Sequence, residues 1–229
     1  MSPMPYYVSP EQLMKDRADF ARKGISRGKS IVAIECAGGI VFVAENPSST
    51  LHKVSELYDR VAFCAVGKYN EFENLRIAGV RLADMRGYVY GREDVTAKAI
   101  ANAYAQALGT IFTQEMKPYE VELLVANLGT DQSTDELFHI LYDGSVTDEQ
   151  GFVAMGGHAD ALNAALQQQY EEGISFDDAL KLGTQALAAS DTTRPLEAHN
   201  LEVAVLDRAR PRRAFRRLGD DDVSRVLGL

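Results

Sequence analysis

The order of its predicted elements constrains this chain most. Apolar, β-branched runs come in blocks and helical patterns come in pairs: one helix, three strands, two helices, three strands, two helices and one strand. This order differs from the regular strand-helix alternation of parallel α/β folds. The predicted strands are 31–36, 40–44, 61–66, 121–127, 137–142, 152–155 and 201–207.

The predicted strands are apolar along almost their whole length. Runs such as IVFVA at 40–44 and VELLVA at 121–126 have to be covered on both faces. Two sheets that face each other, each with a helix pair outside, satisfy this requirement. We therefore predict an α+β fold, a four-layer αββα sandwich with an extra N-terminal helix, and one domain over residues 1–229.

Local signals predict three of the helices. Ser9 can cap the first helix, Pro10 suits its first position, Gln12 can complete a capping box, and the helix should end near Lys23. A helix over about 95–115 has so many alanines that another part of the chain should pack close to its backbone. Ser175 and Asp178 have the spacing of a second capping box.

Charge and hydropathy exclude several classes of function. A net charge of −9 disfavours nucleic-acid and anionic-membrane partners. No apolar run reaches the roughly 18 to 20 residues that span a bilayer, and residues 1–8 lack a secretory signal, so we expect a cytoplasmic protein. One basic cluster precedes three aspartates, and we expect it to be a solvated tail or a subunit contact. It comprises Arg208, Arg210, Arg212, Arg213, Arg216 and Arg217.

Cysteine and histidine positions give no support for a cofactor or a metal. Cys36 and Cys64 lie in apolar strands and are expected to be buried free thiols. The four histidines have no carboxylate or cysteine at ligand spacing, so we expect neither a zinc site nor any other cofactor. They are His52, His139, His158 and His199.

Two glycine motifs suggest chemistry that their context does not support. Residues 24–28 match G-x-S-x-G, but a nucleophile elbow needs a strand before Ser26 and a helix after it, and here the order is reversed. Gly156-Gly157 follows a strand, where amides could bind phosphate. Because it lacks the further residues of a dinucleotide or P-loop motif, we expect a tight turn.

Several segments resemble the proteasome subunit family. The stretch 28–46, followed by 53–57, resembles the opening of these subunits, and Gly67, 118–122, 142–144 and Gly156-Gly157 agree with the family. Within this family, a helix before the first strand is typical of the alpha type of subunit. Residues 6–12 and 45–48 resemble the actinobacterial branch, and the likeness covers about 5–217.

The resemblance implies an N-terminal-nucleophile hydrolase-like fold without catalysis. In catalytic beta subunits a threonine at the chain terminus is the nucleophile, and its own amine is the base. Alignment on the first hairpin puts Lys29 at that position, and no Gly-Thr pair precedes the first strand. The alternative from another class is a self-contained N-terminal-nucleophile peptidase.

The resemblance also implies partners and site residues. It implies a ring of seven alpha subunits stacked on beta subunits, to which a ring ATPase or other activator delivers tagged proteins. Lys53 would dock the C-terminal carboxylate of the activator, and residues 218–229 would be a C-terminal tail. Residues 1–8 would gate the pore through Met4, Pro5, Tyr6, Tyr7 and Val8.

Overall fold

A computed structural model describes residues 9–190 and 196–228. The helices are α1 (Pro10–Ile25), α2 (Tyr69–Val89), α3 (Ala97–Gln114), α4 (Ala159–Gln169), α5 (Phe176–Ser190) and α6 (Asp220–Leu227). The strands are β1 (Ile31–Cys36), β2 (Gly39–Glu45), β3 (Val54–Tyr58), β4 (Val61–Gly67), β5 (Val121–Asn127), β6 (Glu136–Ile140), β7 (Val146–Glu149), β8 (Phe152–Met155), β9 (Leu201–Asp207) and β10 (Phe215–Arg217).

The strands form two five-stranded antiparallel sheets. Their orders are β10-β9-β2-β1-β8 and β3-β4-β5-β6-β7. Alternate residues of each strand point to opposite faces, so Phe42 on β2 enters the core between the sheets while Val43 enters the core under the helices. This alternation explains why the strands are apolar throughout.

The helices form the outer layers and confirm the predicted αββα sandwich. α2 and α3 cover the second sheet, whereas α4, α5 and α6 cover the first. α1 contributes Ala21 and Ile25 to the core between the two sheets, so it lies across one end of the sandwich. No helix among residues 9–190 and 196–228 is long and apolar enough to cross a membrane.

The predicted element count is wrong, because three strands and one helix were missed. β3 and β7 are edge strands, and β7 (VTDE) is too polar and exposed to resemble the core strands. A turn at Asp143-Gly144 joins β6 to β7. After β9 the chain adds β10 and then α6, which takes up 220–227 of the predicted tail and buries Val223.

Ser9 and Ser175 cap their helices as predicted, but neither predicted capping box is complete. The Ser9 hydroxyl accepts the Gln12 N–H at 3.2 Å, but the Gln12 amide donates to Asp16 rather than reaching back, so that capping box is incomplete. α1 continues to Ile25, two residues beyond the predicted end. Ser175 accepts the N–H of Asp178 at 3.2 Å, but the Asp178 carboxylate accepts the Ser175 hydroxyl rather than its main-chain N–H, so this box is also incomplete.

The close packing expected along the alanine-rich helix is present. Gly144, with φ of +87°, lies against α3, where a Cβ atom would be 2.4 Å from the carbonyl oxygen of Ala105. Only glycine combines this backbone conformation with such a short approach.

Five of the six arginines of this cluster bind other residues of the fold, so the segment is not a free solvated tail. Arg208 pairs with Asp135 at 2.7 Å, and Arg213 pairs with Glu56 at 2.8 Å. Arg216 pairs with Asp207, Arg217 with Glu202, and Arg210 donates to the carbonyl of Phe215.

Candidate functional site

Lys53 lies at the end of the loop between β2 and β3, and its main chain is held on both sides. Its N–H donates to Glu202 Oε2 at 2.9 Å, and its carbonyl accepts the N–H of Ala65 at 3.0 Å. Its ammonium donates to the carbonyl of Lys29 at 2.7 Å. An ammonium has three donors, and among residues 9–190 and 196–228 Lys53 uses one of them.

The charges around Lys53 are mixed. Lys29 Nζ pairs with Glu45 Oε1 at 2.7 Å, and the charges of both side chains act on the Lys53 ammonium. Burial lowers the pKa of Lys53 to about 8, although the charges of Glu202 and Glu45 oppose this shift. Lys53 is therefore mostly a cation at neutral pH and becomes neutral in mildly alkaline solution.

The structure tests the two glycine motifs directly. Ser26 follows the last residue of α1, and its hydroxyl donates to the carbonyl of Lys23 at 3.1 Å rather than to a base. Gly156 has φ of +102°, and its N–H donates to Glu122 Oε2 at 3.1 Å. This N–H is therefore already bonded to a carboxylate and is not available to bind a phosphate. Gly156-Gly157 is thus the expected tight turn.

Three histidines lie beside carboxylates: His52, His199 and His139, of which His139 is the most buried. His139 is nearly buried between two carboxylates, with Nε2 2.7 Å from Glu122 and Nδ1 3.6 Å from Glu149. These partners lie on three adjacent strands, so spacing along the sequence could not reveal them. Among residues 9–190 and 196–228, no group of three or more histidine, cysteine or acidic side chains is arranged to hold a metal ion.

The remaining site predictions fall into two groups. Cys36 and Cys64 are buried and free, as expected. The gate residues Met4, Pro5, Tyr6, Tyr7 and Val8 lie outside the described residues, so the structure does not bear on them.

Comparison with known proteins identifies the family of the chain. The family described as proteasome subunit matches residues 25–206. The chain belongs to the proteasome subunit family. The proteasome subunit alpha of Xylanimonas cellulosilytica is 61% identical over 94% of this chain and 92% of that protein. Those of Thermomonospora curvata (58%) and Kineococcus radiotolerans (60%) match 98% and 97% of this chain, and each match covers 97% of the relative.

This likeness over nearly the whole chain makes it an alpha subunit of the proteasome core, the non-catalytic type. Membership implies a complex with beta subunits and with other alpha subunits. Residue 29, which the resemblance aligns with the nucleophile of beta subunits, is a lysine that pairs with Glu45 and follows α1 in the chain. Its main-chain nitrogen is an amide and cannot act as a base.

Proposed function

We propose that this alpha subunit forms a seven-membered outer ring of a cytoplasmic core particle, where it gates access and docks activators for protein degradation. The activator is a ring ATPase, or another protein with an exposed C-terminus, that delivers tagged proteins. The observation that supports docking most is the half-buried Lys53 ammonium, which uses one of its three donors among residues 9–190 and 196–228.

A carboxylate is the ligand that suits this ammonium. An N⁺–H···O⁻ contact is about twice as strong as a neutral hydrogen bond, and a partly water-excluded site strengthens it further. Since the pKa of Lys53 is about 8, docking should weaken as the pH rises through 8.

The test of docking uses core particles assembled with Lys53→Ala. Loss of the cation should lower activator affinity by well over tenfold and abolish activator-stimulated protein degradation, because one partner of a desolvated charge pair is removed. Ring assembly and basal small-peptide cleavage by the beta subunits should stay near wild type. Lys98→Ala, which removes an exposed lysine of α3, is the matched control. Normal activator binding by Lys53→Ala particles would refute the docking role.

Residues 1–8 are proposed as the gate because their sequence contains five consecutive residues with little polarity, Met4 to Val8. A deletion of 1–8 ends just before Ser9, which caps α1, and Pro10, which begins it. The deletion should therefore leave this helix intact. Deleting 1–8 should speed small-peptide hydrolysis by the assembled particle and leave assembly intact. Unchanged peptide turnover would argue against a gate.

A further inference from the structure

Glu202 binds the loop that carries Lys53 through several hydrogen bonds. Its side chain, on β9, is only 4% exposed. It accepts the amide N–H of Asn46 at 2.7 Å and the main-chain N–H groups of Lys53 and Val54 at 2.9 and 3.1 Å. Arg217 on β10 pairs with the same carboxylate.

These bonds join the two sheets at the point where Lys53 is presented. Glu202 belongs to the first sheet, and Val54 opens edge strand β3 of the second. Residues 46–53 have no helix or strand of their own, so side chains supply much of the hydrogen bonding that fixes their path. Arg217 also donates to the carbonyl of Val54 at 2.7 Å, which closes the link.

The same carboxylate acts on the charge of Lys53. Burial disfavours the ammonium, Glu202 and then Glu45 favour it, and Lys29 opposes it. His52 also faces the Glu202 carboxylate, with Nδ1 3.5 Å from Oε1. Removing the negative charge would therefore lower the pKa of Lys53 below about 8, into the range where neutral Lys53 becomes common at physiological pH.

We infer that Glu202 is a positioning residue for activator docking: it fixes the main chain at Lys53 and favours the charged form of that side chain. The inference rests on the proposed docking role of Lys53. Glu202 itself need not touch the activator, because its oxygens already bind four nitrogen groups of this chain.

The experiment measures peptide binding to assembled core particles between pH 6 and 9. The probe is a fluorescent peptide with the C-terminal sequence of the organism's own ring ATPase, used as the free acid and as the C-terminal amide. With Glu202→Gln, affinity for the free acid at pH 7.5 should fall at least about tenfold. The pH midpoint of binding should fall by about one unit, because the charge that favours the ammonium is lost.

Two further variants separate charge from geometry. Glu202→Asp keeps the charge but is one methylene shorter, so affinity should fall while the pH midpoint stays at its wild-type value. Glu56→Gln is the matched control, since Glu56 pairs with Arg213 and makes no bond to residues 46–54. It should bind as wild type does.

The outcomes are distinguishable. Equal binding of acid and amide by the wild-type particle would overturn the docking role, and this inference with it. If the wild type prefers the acid, then unchanged affinity and midpoint in Glu202→Gln would overturn the inference alone. The inference would also be overturned if Glu202→Gln weakened binding of the acid and of the amide equally and left the pH midpoint unchanged. That is the result expected of a purely structural residue. If Glu202→Gln particles fail to assemble, unchanged affinity in Glu202→Asp is the overturning result.

Discussion

Replacing Arg208 by methionine should destabilise the subunit far more than replacing Arg213, although both belong to one arginine-rich segment. Arg208 binds Asp135 through two nitrogens at 2.7 and 3.1 Å and also donates to the carbonyl of Gly129 at 2.8 Å. The Asp135 side chain is fully buried. Arg213 is 74% exposed, and its partner Glu56 can be solvated when the pair is lost.

The expected magnitudes differ because only one variant leaves a buried carboxylate without its cation. Breaking a buried pair by removing one partner costs about 3 to 5 kcal/mol. Breaking an exposed pair costs about 0 to 1 kcal/mol. With a urea slope of about 2 to 3 kcal/mol per molar, Arg208→Met should lower the unfolding midpoint by about 1 to 2.5 M, and Arg213→Met by less than about 0.5 M.

Urea unfolding of the purified subunit at one fixed protein concentration measures both variants. Far-UV circular dichroism is the suitable signal, because the chain has no tryptophan. Adding Asp135→Asn to Arg208→Met removes the uncompensated charge and should recover part of the lost stability. Equal midpoint shifts for Arg208→Met and Arg213→Met would refute the reasoning, as would a double variant no more stable than Arg208→Met.

Three further predictions concern other buried groups. Burial raises the pKa of Glu35 to about 7, because the folded state favours the protonated carboxyl. The stability of the fold therefore falls as the pH rises towards and through 7, where Glu35 has to ionise while buried. Glu35→Gln should match wild type near pH 4.5 and gain up to about 3 kcal/mol at pH 8 in urea unfolding. Burial lowers the pKa of His139, but its two carboxylate neighbours outweigh burial and raise it. Stability from protonated His139 should therefore be lost as pH rises above its ordinary range near 6.5, and His139→Gln should flatten this dependence in thermal melts. Gly144→Ala should cost more than Gly173→Ala, the control with a similar φ of +81° and open space around it, by several degrees in melting temperature.

The sequence predicted what local patterns determine and missed what only the fold brings together. Core strands such as β1 and β5 were found because their residues are buried on both faces. β7 was missed because an exposed edge strand has no such pattern. Lys53 was predicted as a site residue from the resemblance to the family. Its partner Glu202 lies 149 positions away and belongs to no motif, so it was not predicted. Long-range polar pairs of this kind leave no signal in spacing.

The placement of α1 links the lost catalytic role to the architecture of the subunit. Ala21 and Ile25 are buried in the core between the sheets, so the segment before β1 is part of the packed structure. Residue 29 therefore follows a folded helix, and its nitrogen is committed to a peptide bond. Its side chain contributes an ion pair with Glu45 and its carbonyl accepts the Lys53 ammonium. The residue that the resemblance aligns with the beta-subunit nucleophile thus contributes here a carbonyl that holds the proposed docking lysine.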